Sequence, residues 1–170
     1  MPQYTYAEDK AHNFRCCACE PKYAFVPQSI VLYRENLQSV TFRPKKKLMQ
    51  NWIQIASDFE AFLKERRIEK DYGDLMLFHL VIGAMYLAKE EMTYEGENVS
   101  VVRKLLKQYG SDPFVRKTLT IRNCLHYGVQ IKSVFWKLLS FTLVLFLRIH
   151  AYGFLSAILV FMSRLGIGSL

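Results

Sequence analysis

The sequence predicts a mostly helical chain with a short β element near its start, and three observations carry that reading. Apolar residues recur at helical spacing across 48–62. A nearly continuous apolar run follows at 75–88. Two short stretches rich in Val, Ile, Tyr and Phe, YAFVP and SIVLYR, stand side by side at 23–27 and 29–34. Composition shifts divide the 170 residues into an N-terminal segment (1–45), a helical segment (46–126) and a tail (127–170).

In chain order, residues 7–20 suit a helix with Glu8 and Asp9 in its first turn, where the helix dipole favours acidic groups, and Pro21 closes it. The two extended stretches come next, separated by a Pro-Gln turn. Leu48, Trp52, Ile55, Phe59 and Phe62 then alternate at spacings of four and three, which puts them on one helical face. Gln50, Asn51, Asp58, Glu60, Lys64 and Glu65 lie opposite. Tyr72-Gly73-Asp74 is expected to break this helix. A second helix is predicted over 74–91, apolar almost all round and therefore buried on most sides, yet too short to span a bilayer. The polar TYEGENVS stretch leads into a shorter helix near 100–109. Gly110 and Asp112-Pro113 punctuate the chain again, and one helix is predicted over 113–126.

The tail differs in kind. From Leu138 to Ser163 the one formal charge is Arg148. Ser133, Lys137, Ser140, Arg148, Tyr152 and Ser156 form a thin polar stripe on an otherwise apolar helix. The stretch is long enough to span a membrane, but an Arg at the centre of a lone spanning helix costs at least roughly 2.5 to 3.5 kcal/mol. An interfacial or shallowly re-entrant helix is favoured, with Lys137 and Arg148 reaching headgroups while Trp136 and the Leu/Phe face sink inward. A helical hairpin turning near Gly153 is the other arrangement the residues allow.

Hydrophobic residues at 51% and aromatics at 14% exclude a disordered chain. The net charge of +8 is unevenly placed. Residues 1–112 carry 16 basic against 15 acidic residues, whereas residues 113–170 carry seven basic residues and no acid. Positive charge threaded through apolar sequence suits an anionic membrane surface, on its cytoplasmic face, rather than nucleic acid. No secretory signal is visible, and four cysteines with three crowded at 16, 17 and 19 suggest no disulfide framework, hence a reducing compartment.

Several side chains invite chemistry. A carboxylate at a helix N-terminus is held ionised and suits a general base, although acidic residues there are usually caps or solvated charges. His12, Cys16, Cys17 and Cys19 could offer soft metal ligands, but the spacing matches no common zinc arrangement, so small apolar core filling is the favoured reading. His79 reads as a core histidine, and His126 and His150 as core or interfacial ones. RPKKK at 43–47 reads equally as a phosphate or headgroup contact and as a solvated helix start. NVS at 98–100 reads as a loop.

Taken as an ordered set, Glu8-Asp9, Asn13-Phe14, AFVP at 24–27, Tyr33-Arg34 and Ser39 resemble the region that follows the catalytic acidic pair in bacterial family-2 glycosyltransferases of the GT-A fold. The resemblance implies that 1–45 is the C-terminal part of a GT-A α/β domain, followed by a helical, membrane-associating extension. It implies transfer of a sugar from a nucleotide-diphosphate donor to a glycan or lipid-linked acceptor, with Asp9 as base, Glu8 supporting it, and Tyr33 and Arg34 near the donor diphosphate. The complete enzyme would use Mg²⁺ or Mn²⁺. This chain has no Asp-x-Asp pair to hold such an ion, and Leu32 stands where many relatives carry His. The donor-binding half is expected upstream, so these residues alone are expected to be inactive. The alternative is a membrane-peripheral helical adaptor using its 48–62 face, or a non-functional remnant.

Overall fold

A computed structural model describes residues 8–19, 47–129 and 131–164. Within them lie α1 (Glu8–Cys19), α2 (Leu48–Arg66), α3 (Glu69–Glu95), α4 (Val99–Ser111), α5 (Pro113–Thr118), α6 (Ile121–Gly128), α7 (Val134–Arg148) and α8 (Tyr152–Arg164). Every element among the described residues is a helix, which overturns the expected α/β architecture. The physical reason lies in α3. This helix of 27 residues, about 40 Å long, is packed by α2, α4, α6, α7 and α8. Its apolar surface is covered by other helices, so no sheet face remains to be filled. The stretches at 23–27 and 29–34 lie outside the described residues.

Local chemistry explains most helix starts. The Asn98 side chain accepts the Ser100 amide, Asp112 accepts the Phe114 and Val115 amides, and Thr120 accepts that of Asn123. Pro113 occupies the first turn of α5, where its missing N–H costs nothing. Thr120 therefore divides the single helix expected at 113–126 into α5 and α6.

The helix ends depart further from expectation. α2 stops at Arg67 rather than at Tyr72-Gly73-Asp74. Arg67 is left-handed (φ 58°), and its N–H and that of Ile68 donate to Lys64 O and Leu63 O. α7 ends in the same motif: His150 is left-handed (φ 57°), and the His150 and Ala151 amides donate to Leu147 O and Phe146 O. Neither residue is glycine, so composition gives no warning. Gly73 instead lies inside α3, where a Cβ would meet the Tyr127 ring at 2.2 Å. It is a packing glycine, not a turn glycine.

The tail is a hairpin of two helices docked on the bundle. Leu143, Val144 and Leu147 of α7 and Leu155, Leu159 and Val160 of α8 belong to one buried cluster with Leu48, Leu80, Val102 and Leu106. α8 packs on α4, and α7 on α6. Most of the polar stripe accordingly faces protein, with Ser133 and Lys137 at its start exposed. Ser140, Tyr152 and Ser156 are buried, and the Ser156 hydroxyl donates to Gly153 O. Among the described residues no helix is long and apolar enough to cross a membrane.

Candidate functional site

α1 is held against the bundle by its apolar side. Phe14 packs on Phe59 (5.1 Å between centroids) and edge-on to His79 (5.0 Å), while the Lys10 ammonium sits 4.1 Å from the Trp52 ring centroid. Burial lowers the Lys10 pKa, and Asp9 opposes that shift. Asp9 itself is exposed, its Oδ1 accepting the Lys10 amide at 2.8 Å. Glu8 opens the helix. Tyr33 and Arg34, assigned to the donor, fall outside the described residues, so of the expected transfer site only the start of α1 is placed.

Beneath α1, Trp52 and His79 bind each other twice. The indole N–H donates to His79 O (3.0 Å), His79 Nε2 donates to Trp52 O (3.1 Å), and the rings stack at 4.7 Å. Desolvation lowers the His79 pKa to about 4, assisted by Lys10 and opposed by the bond to Trp52. The histidine is structural, as its apolar surroundings in sequence indicate. Leu48, Trp52, Ile55 and Phe59 are all buried. Phe62 is half-buried, so most of the 48–62 face is spent on the core.

The cysteine cluster reads differently in three dimensions. Cys16 and Cys19 are exposed rather than core-filling, and Cys16 Sγ lies 3.3 Å from His12 Nε2. No group of three His, Cys, Asp or Glu side chains among the described residues is arranged to hold a metal ion. Cys124 is the buried cysteine, and burial pushes its thiol pKa up.

A cleft of about 380 Å³ between α2, α3 and α4 is floored by Leu48, Leu87 and Leu105 and rimmed by Glu90, Glu91 and Glu95. Three carboxylates at its rim repel a nucleotide diphosphate, so it is unsuited to the donor.

The α6–α8 side has the opposite character. Val129, Val134, Phe135, Leu138 and Ile149 are exposed, Leu138 by 63% and Ile149 by 58%. Val134, Leu138, Leu145 and Ile149 follow one outer face along the length of α7. Phe154 and Phe161 of α8 are each 60% exposed. Exposed apolar side chains in such number are a feature that interaction surfaces share. Arg122, Lys132 and Lys137 of the same stretch of chain are exposed as well, and the sequence from 113 to 164 supplies no carboxylate.

The three residues assigned to membrane contact have distinct placements. Lys137 is exposed. Trp136 is half-buried, edge-on to Phe78 and Phe135 at 5.5 Å each. Arg148 turns inward: its Nε donates to Leu119 O at 2.8 Å and its Nη2 to Arg116 O. It caps the end of α5, a partner invisible to a helical projection of the tail alone. Compared with protein-family models, curated proteins and solved structures, the chain matches none.

Proposed function

We propose that the chain is a membrane-peripheral helical module. α7 lies along an anionic bilayer surface, with Val134, Phe135, Leu138 and Ile149 in the headgroup–acyl boundary and Lys132 and Lys137 among the headgroups. The observation that supports this is the exposed apolar face of α7, with Lys132 and Lys137 exposed in the same stretch and no acidic residue in the sequence from 113 to 164. Each Lys or Arg near such a surface contributes about 1 kcal/mol of attraction, and the apolar side chains add to it by leaving water. The excess of positive charge suits the negative cytoplasmic leaflet.

The test is sedimentation with vesicles of phosphatidylcholine alone or mixed with phosphatidylglycerol. The protein is expected to sediment with the anionic vesicles, and Phe135→Ser with Leu138→Ser to weaken this about tenfold. Both side chains are exposed, so urea unfolding stays unchanged. Removal of residues 133–170 is uninformative, because it strips Leu143, Val144 and Leu159 from the core. Equal sedimentation of the double variant would remove α7 from the interface.

A second reading concerns α1. Its first turn presents Asp9 to solvent while Lys10 and Phe14 anchor the helix body, which fits a base held at a fixed position for a donor half lying upstream. The module would then serve a glycosyltransferase that takes a nucleotide-diphosphate sugar to a glycan or lipid-linked acceptor. In a polypeptide carrying such a half, Asp9→Asn is expected to abolish transfer while leaving folding and vesicle binding intact. Full transfer by that variant would exclude Asp9 from the reaction.

A further inference from the structure

A small basic cavity lies where α7 turns into α8. It measures about 60 Å³, room for one phosphate-sized group, and Arg116 of α5, Arg148 at the end of α7 and His150 in the turn line it. Leu119 and Leu147 supply apolar wall. Three separate elements thus bring two guanidinium groups and an imidazole to one point. The nearest carboxylate in sequence, Asp112, has its Oδ1 committed to the amides of Phe114 and Val115.

The donors are pre-positioned. Two carbonyls fix Arg148 through Nε and Nη2, which leaves the remaining N–H groups of its five-donor fork in a set plane. His150 is held by its left-handed backbone, and its Nδ1 lies 2.8 Å from the Tyr152 hydroxyl. When that hydroxyl donates to Nδ1, the ring proton sits on Nε2, free to donate in turn. α8 begins at Tyr152, so the positive end of its dipole lies beside the turn.

Apolar groups flank this cationic point. Ile149 is 58% exposed and Phe154 60% exposed, with Phe154 packed on Phe146 at 5.0 Å. A free inorganic anion has no use for such a border, whereas a lipid has both parts. We propose that the cavity takes the phosphodiester of an anionic phospholipid headgroup, Ile149 and Phe154 entering the acyl boundary beside it. The proposal rests on the membrane-surface reading above and gives that surface a defined lipid contact.

The experiment titrates the full chain with dihexanoyl phosphatidylglycerol, below its micelle concentration, and follows the Arg148 Nε–H and His150 ring signals by NMR. A saturable shift of both is expected in the wild-type chain. The Arg148 shift, the one still readable once the imidazole is gone, should be lost in Arg116→Gln/His150→Asn, a pair that keeps a residue tolerant of the left-handed backbone at 150. The same variant is expected to sediment about tenfold less with phosphatidylglycerol vesicles. An unaltered shift in the variant overturns the site. An equal saturating shift with inorganic phosphate at matched ionic strength overturns the lipid assignment. Wild-type vesicle binding by a variant that has lost the NMR shift overturns the headgroup contact but leaves the α7 surface standing. Failure of the wild-type chain to sediment with any vesicle overturns both readings.

Discussion

Trp52 and His79 each donate a side-chain hydrogen bond to the other's backbone carbonyl while their rings stack. The pair locks α2 to α3 at a fixed rotation and leaves one ring proton on Nε2. Charging this imidazole means adding a proton to a buried ring with Lys10 nearby on α1, Trp52 on α2 and Phe14 over its edge. Folding therefore favours the neutral form of His79.

Stability should fall with acidification in a defined window. The unfolded chain takes up a proton at His79 near 6.5, the folded chain only near 4. The stabilisation is thus fully present above pH 6.5 and is lost as pH falls from there toward 4, on the order of 3 kcal/mol in all. Urea midpoints across this range should show the slope, and His79→Gln should flatten it. His12, His126 and His150 are present in both proteins and cancel in the comparison. An equal slope in the variant would assign the acid sensitivity elsewhere.

Gly83 lies under the same pair. A Cβ there would stand 2.2 Å from Trp52 Nε1 and 2.4 Å from Cδ1, against a ring with no room to retreat. Alanine gains about 1 kcal/mol in helix propensity, but overpacking and the disturbed indole bond outweigh it. Gly83→Ala should destabilise by roughly 2 kcal/mol in urea unfolding. Combined with Trp52→Leu, which removes the obstructing ring, the substitution should cost much less than the two changes summed. Simple additivity would refute the contact.

Arg148 offers a third check. If its guanidinium holds the carbonyls of Leu119 and Arg116, Arg148→Gln should cost about 1.5 to 3 kcal/mol of stability, as expected for hydrogen bonds from a charged group. An unchanged midpoint would mean that these two bonds add nothing to the stability of the free protein.

The sequence carries some of this plainly. The face of α2 is legible because it alternates by fours and threes, and α3 because it is apolar on every side. The Asp112-Pro113 start of α5 follows from local capping chemistry. Gly73 misleads because its reason is Tyr127, more than fifty positions away, whereas Arg67 and His150 turn the chain without glycine. The polar stripe of the tail is real, but a projection of one helix does not reveal that the carbonyls of α5 receive Arg148 and the flank of α4 receives Tyr152. The basic cavity shares this difficulty, since Arg116 and His150 become neighbours only once the hairpin folds back. For the acidic pair the sequence remains the fuller source, because the residues that complete the resemblance lie between α1 and α2.

The packing of α8 on α4 also sets a schedule for synthesis. Val102 and Leu106 leave the ribosome well before Leu155 and Leu159, which cover them in the finished bundle. At roughly 5 to 20 residues per second, translation from the end of α4 to the end of α8 keeps that flank wet for roughly 3 to 10 s. During that interval the nascent chain presents a sticky helix with no native cover, a natural substrate for a holding chaperone. A stop codon within α8 makes the interval permanent, so truncation there should lead to degradation of the product.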